Sequence, residues 1–312
     1  LQNLDIRARS IHPKPDPPDA GTEHLVLFGY VTCHYINHAF GLVSLKAMET
    51  VSRVLTDPWT TSAGHALLYT SLGFHAVLGL MALFQRRQLL RMPFTDAMQI
   101  LLGLLVPVLL IRHIVQVRLG AALHNLRDNY EAVLSNFWLA DPQALMQQFV
   151  LLFAIWAHGS IGIRTSLQLR HGYEALKPWL STAALLIPLL AVAGVLSAGA
   201  EIDWRIAKDP AFAARNAIPD PASATMLARG NLSALSDRLT LAWIVLVAAT
   251  FAARLARSAC SRYFGAVRIS YLGSQTVRVE RGSSVLEASH VAGLPHASVC
   301  GGRGRCSTCL VR

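Results

Sequence analysis

Apolar stretches of about 20 residues, the length at which a helix spans the hydrocarbon core of a bilayer, recur six times in this 312-residue chain. They predict spans at about 24–45, 62–84, 97–117, 147–168, 179–199 and 239–258. A soluble chain of this length can bury a large core, but it has no need of repeated segments this long. Composition agrees: 15% of residues are charged and 53% apolar, against roughly 25% charged in soluble domains, and mean hydropathy is +0.40. The expected fold is mainly α, a six-helix transmembrane bundle over 24–260 with the lipid bilayer as its first partner.

The formal charge of +10 would suit nucleic acid if the cations formed a stripe on a reading element. They flank the apolar segments instead, so no nucleic-acid partner is expected. Arg86, Arg87 and Arg91 sit in one turn, Arg164, Arg170 and Lys177 in another, and Arg254, Arg257, Arg262 and Arg268 follow the last span. By the excess of Lys and Arg in cytoplasmic loops, these lie on one side and both termini are cytoplasmic. Residues 1–23 are polar and Pro-rich and read as a flexible lead-in. The chain begins at Leu1 with no signal-peptide core before residue 24, and both ends are expected to be fragment ends.

After Cys260 the pattern changes. Residues 266–271 and 276–280 alternate apolar and polar on either side of Gly273 and Ser274, which predicts a β-hairpin. Residues 283–293 predict a short helix capped by Ser283 or Ser284 and stopped by Gly293. The stretch CGGRGRCSTC then places Cys300, Cys306 and Cys309 at C-x5-C-x2-C. Thiolates on one tight loop can wrap an iron-sulfur cluster, and Gly301, Gly302 and Gly304 let backbone N–H groups turn toward the sulfurs. Tetrahedral zinc is the chemical rival. Hairpin, helix and glycine-rich cysteine loop together resemble [2Fe-2S] ferredoxins, and the spacing looks like their adrenodoxin-type variant. That resemblance implies a truncated α+β (β-grasp) domain over 265–312, with a fourth cysteine ligand beyond Arg312. Cys33 and Cys260 fall outside the pattern and read as packing residues.

Ionisable side chains within a bilayer are costly and mark function. His34 and His38 lie on the first predicted span, His65 and His75 on the second, His113 on the third and His158 on the fourth. At about 1.5 Å per residue, His38 and His113 fall roughly 5 and 9 Å past mid-span on the outer side; His75 lies about 3 Å to the inner side, with His158 near the centre. In an up-down-up-down bundle the first and third helices are diagonal, as are the second and fourth. Two bis-histidine haems b are therefore expected, His38 with His113 outside and His75 with His158 inside, with His34 and His65 as alternative ligands. Arg86, Arg87, Arg112 and Arg164 could meet haem propionates or simply snorkel to the interface. A proton or quinone pathway without haem, or structural hydrogen bonding, stays open for the same histidines. Ordinary roles are expected for His12, His24, His124, His171, His290 and His296.

Six spans with intramembrane histidines followed by CGGRGRCSTC resemble the amino-terminal half of bacterial class III adenylate cyclases that carry a succinate-dehydrogenase-type cytochrome b anchor and a [2Fe-2S] domain. The resemblance implies an inner-membrane redox- or quinone-sensing anchor that regulates a cyclase making cyclic AMP from ATP. It also implies homodimers formed through that cyclase domain, which these residues do not include. An electron-transfer cytochrome b–ferredoxin fusion working with membrane quinone is the other expectation.

Overall fold

A computed structural model describes residues 22–86, 92–168, 170–271, 275–280 and 283–295. Arg87, Arg91, His12, His296, nearly all of the lead-in and the loop bearing Cys300, Cys306 and Cys309 lie outside the described residues. Among the described residues, five helices are long and apolar enough to cross a membrane, the pattern of a multi-pass membrane protein. They are α3 (Ser62–Gln85), α4 (Phe94–Ile114), α7 (Pro142–Leu167), α8 (Tyr173–Lys208) and α10 (Ala224–Phe264). Between them lie α5 (Gly120–His124), α6 (Tyr130–Ser135) and α9 (Pro210–Arg215). The chain opens on α1 (Thr22–Ala39) and α2 (Leu45–Leu55), joined by a 3-10 turn at Phe40–Leu42. The first predicted span thus breaks before its expected end at 45, and α1 is not among the five. Ser44 makes the break: its hydroxyl accepts the Ala47 N–H and starts α2 in a new direction.

The long helices close into a circle. Each packs against the next in the order α1, α3, α10, α4, α7, α8 and back to α1, so α1 faces α4 across the circle and α3 faces α7. Small residues set the closest crossing, as they do where no hydrophobic force drives helices together. A Cβ on Gly194 of α8 would run into the His38 carbonyl of α1, and one on Gly41 into the Gly194 carbonyl. The two backbones therefore touch where α1 ends. Lateral hydrogen bonds pin other crossings: Tyr35 Oη donates to the Leu152 carbonyl (2.9 Å), Trp156 Nε1 to Ala184 (2.7 Å) and Trp243 Nε1 to Leu104 (3.1 Å). In membrane proteins such bonds contribute about 0.6 kcal/mol each.

At about 1.5 Å per residue, the 36 residues of α8 and 41 of α10 reach roughly 54 and 62 Å, well beyond the ~30 Å hydrocarbon core. The surplus length carries a folded cap made with α2, α6 and α9. Met48, Ile202 and Phe212 are fully buried in its core. Polar groups lock the cap to the helices. Asp141 caps α7 through the Ala144 N–H and pairs with Arg112 at 2.9 Å, fastening the end of α4 to the start of α7. Glu131 receives Arg215 Nε and Asn216 Nδ2, both at 3.0 Å, with Arg127 at 3.5 Å.

At the other end, α10 runs into a two-stranded antiparallel sheet, β1 (Ala266–Ser270) and β2 (Thr276–Glu280), in which Ala266 faces Glu280. α11 (Val285–Ala292) follows. Ser284 and Glu287 form a reciprocal capping box, and Gly293 ends the helix at φ 70°, a left-handed conformation that glycine adopts without strain. Val279, Leu286 and Ala288 are buried where β2 meets α11. Ser258 near the end of α10 hydrogen-bonds the Glu280 carboxylate.

Burial alone would raise the Glu131 pKa, but the hydrogen bonds from Arg215 and Asn216 and the charges of Arg215 and Arg127 bring it below the usual 4.5. A carboxylate with a depressed folded-state pKa stabilises the fold above its ordinary pKa, and the contribution is lost as pH falls through the folded value. Wild type should therefore unfold at higher temperature than Glu131→Gln at pH 7, and the gap should narrow progressively below about pH 4.5. A pH-independent gap in thermal scans of the detergent-solubilised pair would contradict this assignment.

Candidate functional site

Inside the circle lies a cavity of about 950 Å³, near the top of the roughly 300–1,000 Å³ range typical of ligand pockets. His34, His38, His65, His75, His113 and His158 all line it. The helix order explains why. α1 and α4 face each other across the circle, as do α3 and α7, so histidines placed on these helices can converge on one space.

They fall into two groups. On one side the imidazole centroids of His75 and His158 stand 5.8 Å apart at 81°. On the other, His34 lies 4.3 Å from His38 and 6.3 Å from His113. Two imidazoles sharing one metal need a centroid separation of roughly 6 Å, given metal–nitrogen bonds of about 2 Å. His75–His158 and His34–His113 meet that requirement, with His38 one helical turn from His34. His38 is the penultimate residue of α1, not a residue of an unbroken span. His65 pairs instead with Tyr69 on its own helix, at 5.6 Å.

His158 has the most defined environment. Its Nδ1 lies 3.1 Å from the Gln99 carbonyl. A carbonyl can only accept, so Nδ1 carries the proton and Nε2 is left as a lone-pair donor, the arrangement that orients a metal-ligating histidine. Gly103, one turn further along α4, leaves room for the ring: a Cβ there would stand 2.9 Å from His158 Cε1. His38 Nδ1, His113 Nδ1 and His65 Nε2 are buried with no hydrogen-bond partner among the described residues. An unsatisfied buried polar atom costs about 1–3 kcal/mol, so three in one cavity mark a space shaped for a group that brings its own partners. The residues present thus fit a bis-histidine metal macrocycle in ring separation, and His158 in its free Nε2 lone pair; His34 Nδ1 lies 3.4 Å from Tyr130 Oη.

Polar side chains gather at both mouths of the cavity. Glu23, His24, Arg86, Asp96 and Gln99 line one end, with Arg86 paired to Asp96 at 2.6 Å. Glu49, Arg53, Asp57, Arg118 and Asp128 line the other, with Arg118 paired to Asp128 at 2.9 Å. Glu49 is half-buried, and that burial raises its pKa. Hydrogen bonds from the Glu131 and Tyr130 backbone oppose the rise, and the nearby charges of Glu131 and Asp57 add to it. Of the four arginines expected near propionates, Arg86 lines the cavity, whereas Arg112 is engaged with Asp141 and neither it nor Arg164 is among the described lining residues. Arg53, Arg118, Gln99 and Gly103 carry no such mark in the sequence. His24 also lines the cavity, Cys33 is a half-buried free thiol and Cys260 an exposed one.

No protein-family model, curated protein or solved structure matches this chain.

Since the His158 ring occupies the space beside Gly103, Gly103→Val should lower stability by about 1–3 kcal/mol through overpacking. Gly73→Ala, which meets nothing within 4 Å, should be neutral or stabilising by up to ~1 kcal/mol. Thermal unfolding in detergent measures both; equal effects would contradict the placement of His158 against α4.

Proposed function

We propose that this chain is the haem b-carrying membrane anchor of a redox-regulated protein of the bacterial inner membrane. His75 and His158 would hold one haem, and His113 would hold the other together with His34, which stands 6.3 Å from it, or with His38 one turn further along α1. Haem b, when bound, supplies reversible one-electron chemistry within the bilayer. The protein's part is to fix the imidazole tautomers, exclude water and set the depth of each site. The reading rests on one observation, the convergence of histidines from four helices on one cavity as two groups with spacings of 5.8 and 6.3 Å.

On this reading α1 is a sixth span completing the bundle, and both termini are cytoplasmic. Cys300, Cys306 and Cys309 hold a [2Fe-2S] cluster with a fourth cysteine further along, in a ferredoxin-like domain that begins with the hairpin. The intact protein then couples quinone or redox state in the membrane to a cyclase domain that makes cyclic AMP and brings two copies together. The glutamate at the cap-side mouth, Glu49, retains a proton more readily than a free carboxyl group and suits proton exchange with a quinone there. A second reading, an electron-transfer fusion serving as a quinone oxidoreductase component, is favoured by the direct contact of the hairpin with α10, which keeps the cluster domain against the membrane helices.

Protein purified from haem-replete cells should give a reduced-minus-oxidised spectrum of b type. His75→Ala and His158→Ala should each remove roughly half of it, and His113→Ala the other half. A colourless preparation would overturn the proposal, and an undiminished spectrum in all three variants would overturn the ligand assignment.

A further inference from the structure

α4 does not continue as a regular helix beyond His113. Val115–Leu119 form a π-turn, after which α5 resumes α geometry at Gly120. Single π-turns within helices are rare and cluster at functional sites. This one is firmly packed: Val115 is buried, the segment lies against α10, and Gln116 Nε2 reaches the Arg229 carbonyl at 3.4 Å. Its geometric effect falls on Arg118. Five residues along an unbroken α-helix, Arg118 would stand about 140° round the axis from His113, on the Ile114 side of the cavity-lining face. The extra residue taken up by the π-turn leaves it at about the i+4 position, roughly 40° away. His113 and Arg118 accordingly both line the cavity.

Resting on the haem reading above, we propose that the π-turn exists to bring Arg118 onto the face of His113, where its guanidinium anchors a propionate carboxylate of the cap-side haem. Arg118 is suited to this. It sits at the mouth, 32% exposed, with Nη1 paired to Asp128 and a further side-chain hydrogen bond to Tyr30, while a guanidinium has five N–H donors in a planar fork that matches a carboxylate. Asp128 holds the fork in place from the loop side. Arg86 occupies the corresponding place at the opposite mouth, paired with Asp96, so the two ends of the cavity have the same cation–carboxylate construction. Arg118 would bind the carboxylate directly and leave iron ligation to the histidines.

The test is a potentiometric titration of the purified holoprotein, following the b-type absorbance of wild type, Arg118→Gln and Arg118→Lys across pH. Removing the cation should lower the midpoint of one haem wave and leave the other unmoved. The pH at which the lowered wave takes up its linked proton should rise, because an unpaired propionate holds its proton more tightly. Arg118→Lys, which restores charge without the fork, should recover part of the shift. Loss of one wave in Arg118→Gln, with its return in Arg118→Lys, would also support the assignment. Two waves with unchanged midpoints at wild-type haem content would overturn it, as would an equal shift of both waves. A wild-type preparation with no haem would instead remove the parent reading, and this assignment with it.

Discussion

A histidine nitrogen placed among apolar helices must be given a partner, and the arrangement of this molecule follows from how that demand is met. Within the circle of helices, one imidazole is satisfied by a backbone carbonyl, His158 by Gln99. His38, His113 and His65 keep a buried nitrogen that nothing in the described protein satisfies. Collapsing the helices onto these rings would bury polar atoms against carbon. Holding the rings around a cavity of about 950 Å³ leaves room for a ligand that completes them, and on the proposed reading haem supplies the missing bonds.

Keeping such a cavity open needs a rigid frame. Much of it comes from outside the membrane-length segments, through the cap at one end and the α10–hairpin junction at the other. The glycine contact between α1 and α8 fixes the backbone at His38, and Asp141 ties α4 to α7 through Arg112, the residue before His113. α10 runs the length of the molecule, meeting Gln116 and Asn136 near its start, Leu104 at mid-depth and the Arg86 carbonyl through Arg254 near its end. It then leads directly into β1. One continuous helix thus contacts both the histidine-bearing α4 and the hairpin, which gives a change at the cavity a physical route toward β1 and β2.

Length and hydropathy made the long helices legible, because a span-length apolar run has few other uses. The hairpin and α11 were legible from alternation, the Ser284 cap and the Gly293 stop. The break at the end of α1 was not: residues 40–45 are nearly as apolar as a span, and only the Ser44 side chain, accepting the Ala47 N–H, turns the chain there. Histidines on opposite helices were legible as residues that could share one space, but that His34 is the α1 ring standing 6.3 Å from His113 depends on ring orientation, which depth along a helix does not carry. The role of Gln99 was hidden because its backbone carbonyl makes the contact. Arg118 was hidden for a geometric reason: counted at 3.6 residues per turn it points away from His113, and the π-turn that reverses this leaves no mark in the sequence.

The central claim is that paired imidazoles close both axial positions of two irons in this cavity. Low-temperature electron paramagnetic resonance of the oxidised, purified protein, with haem quantified against protein, tests it most directly. Two haems per chain, both giving low-spin ferric signals, are the predicted result. A high-spin signal from a five-coordinate haem, or a single haem per chain, would contradict the account.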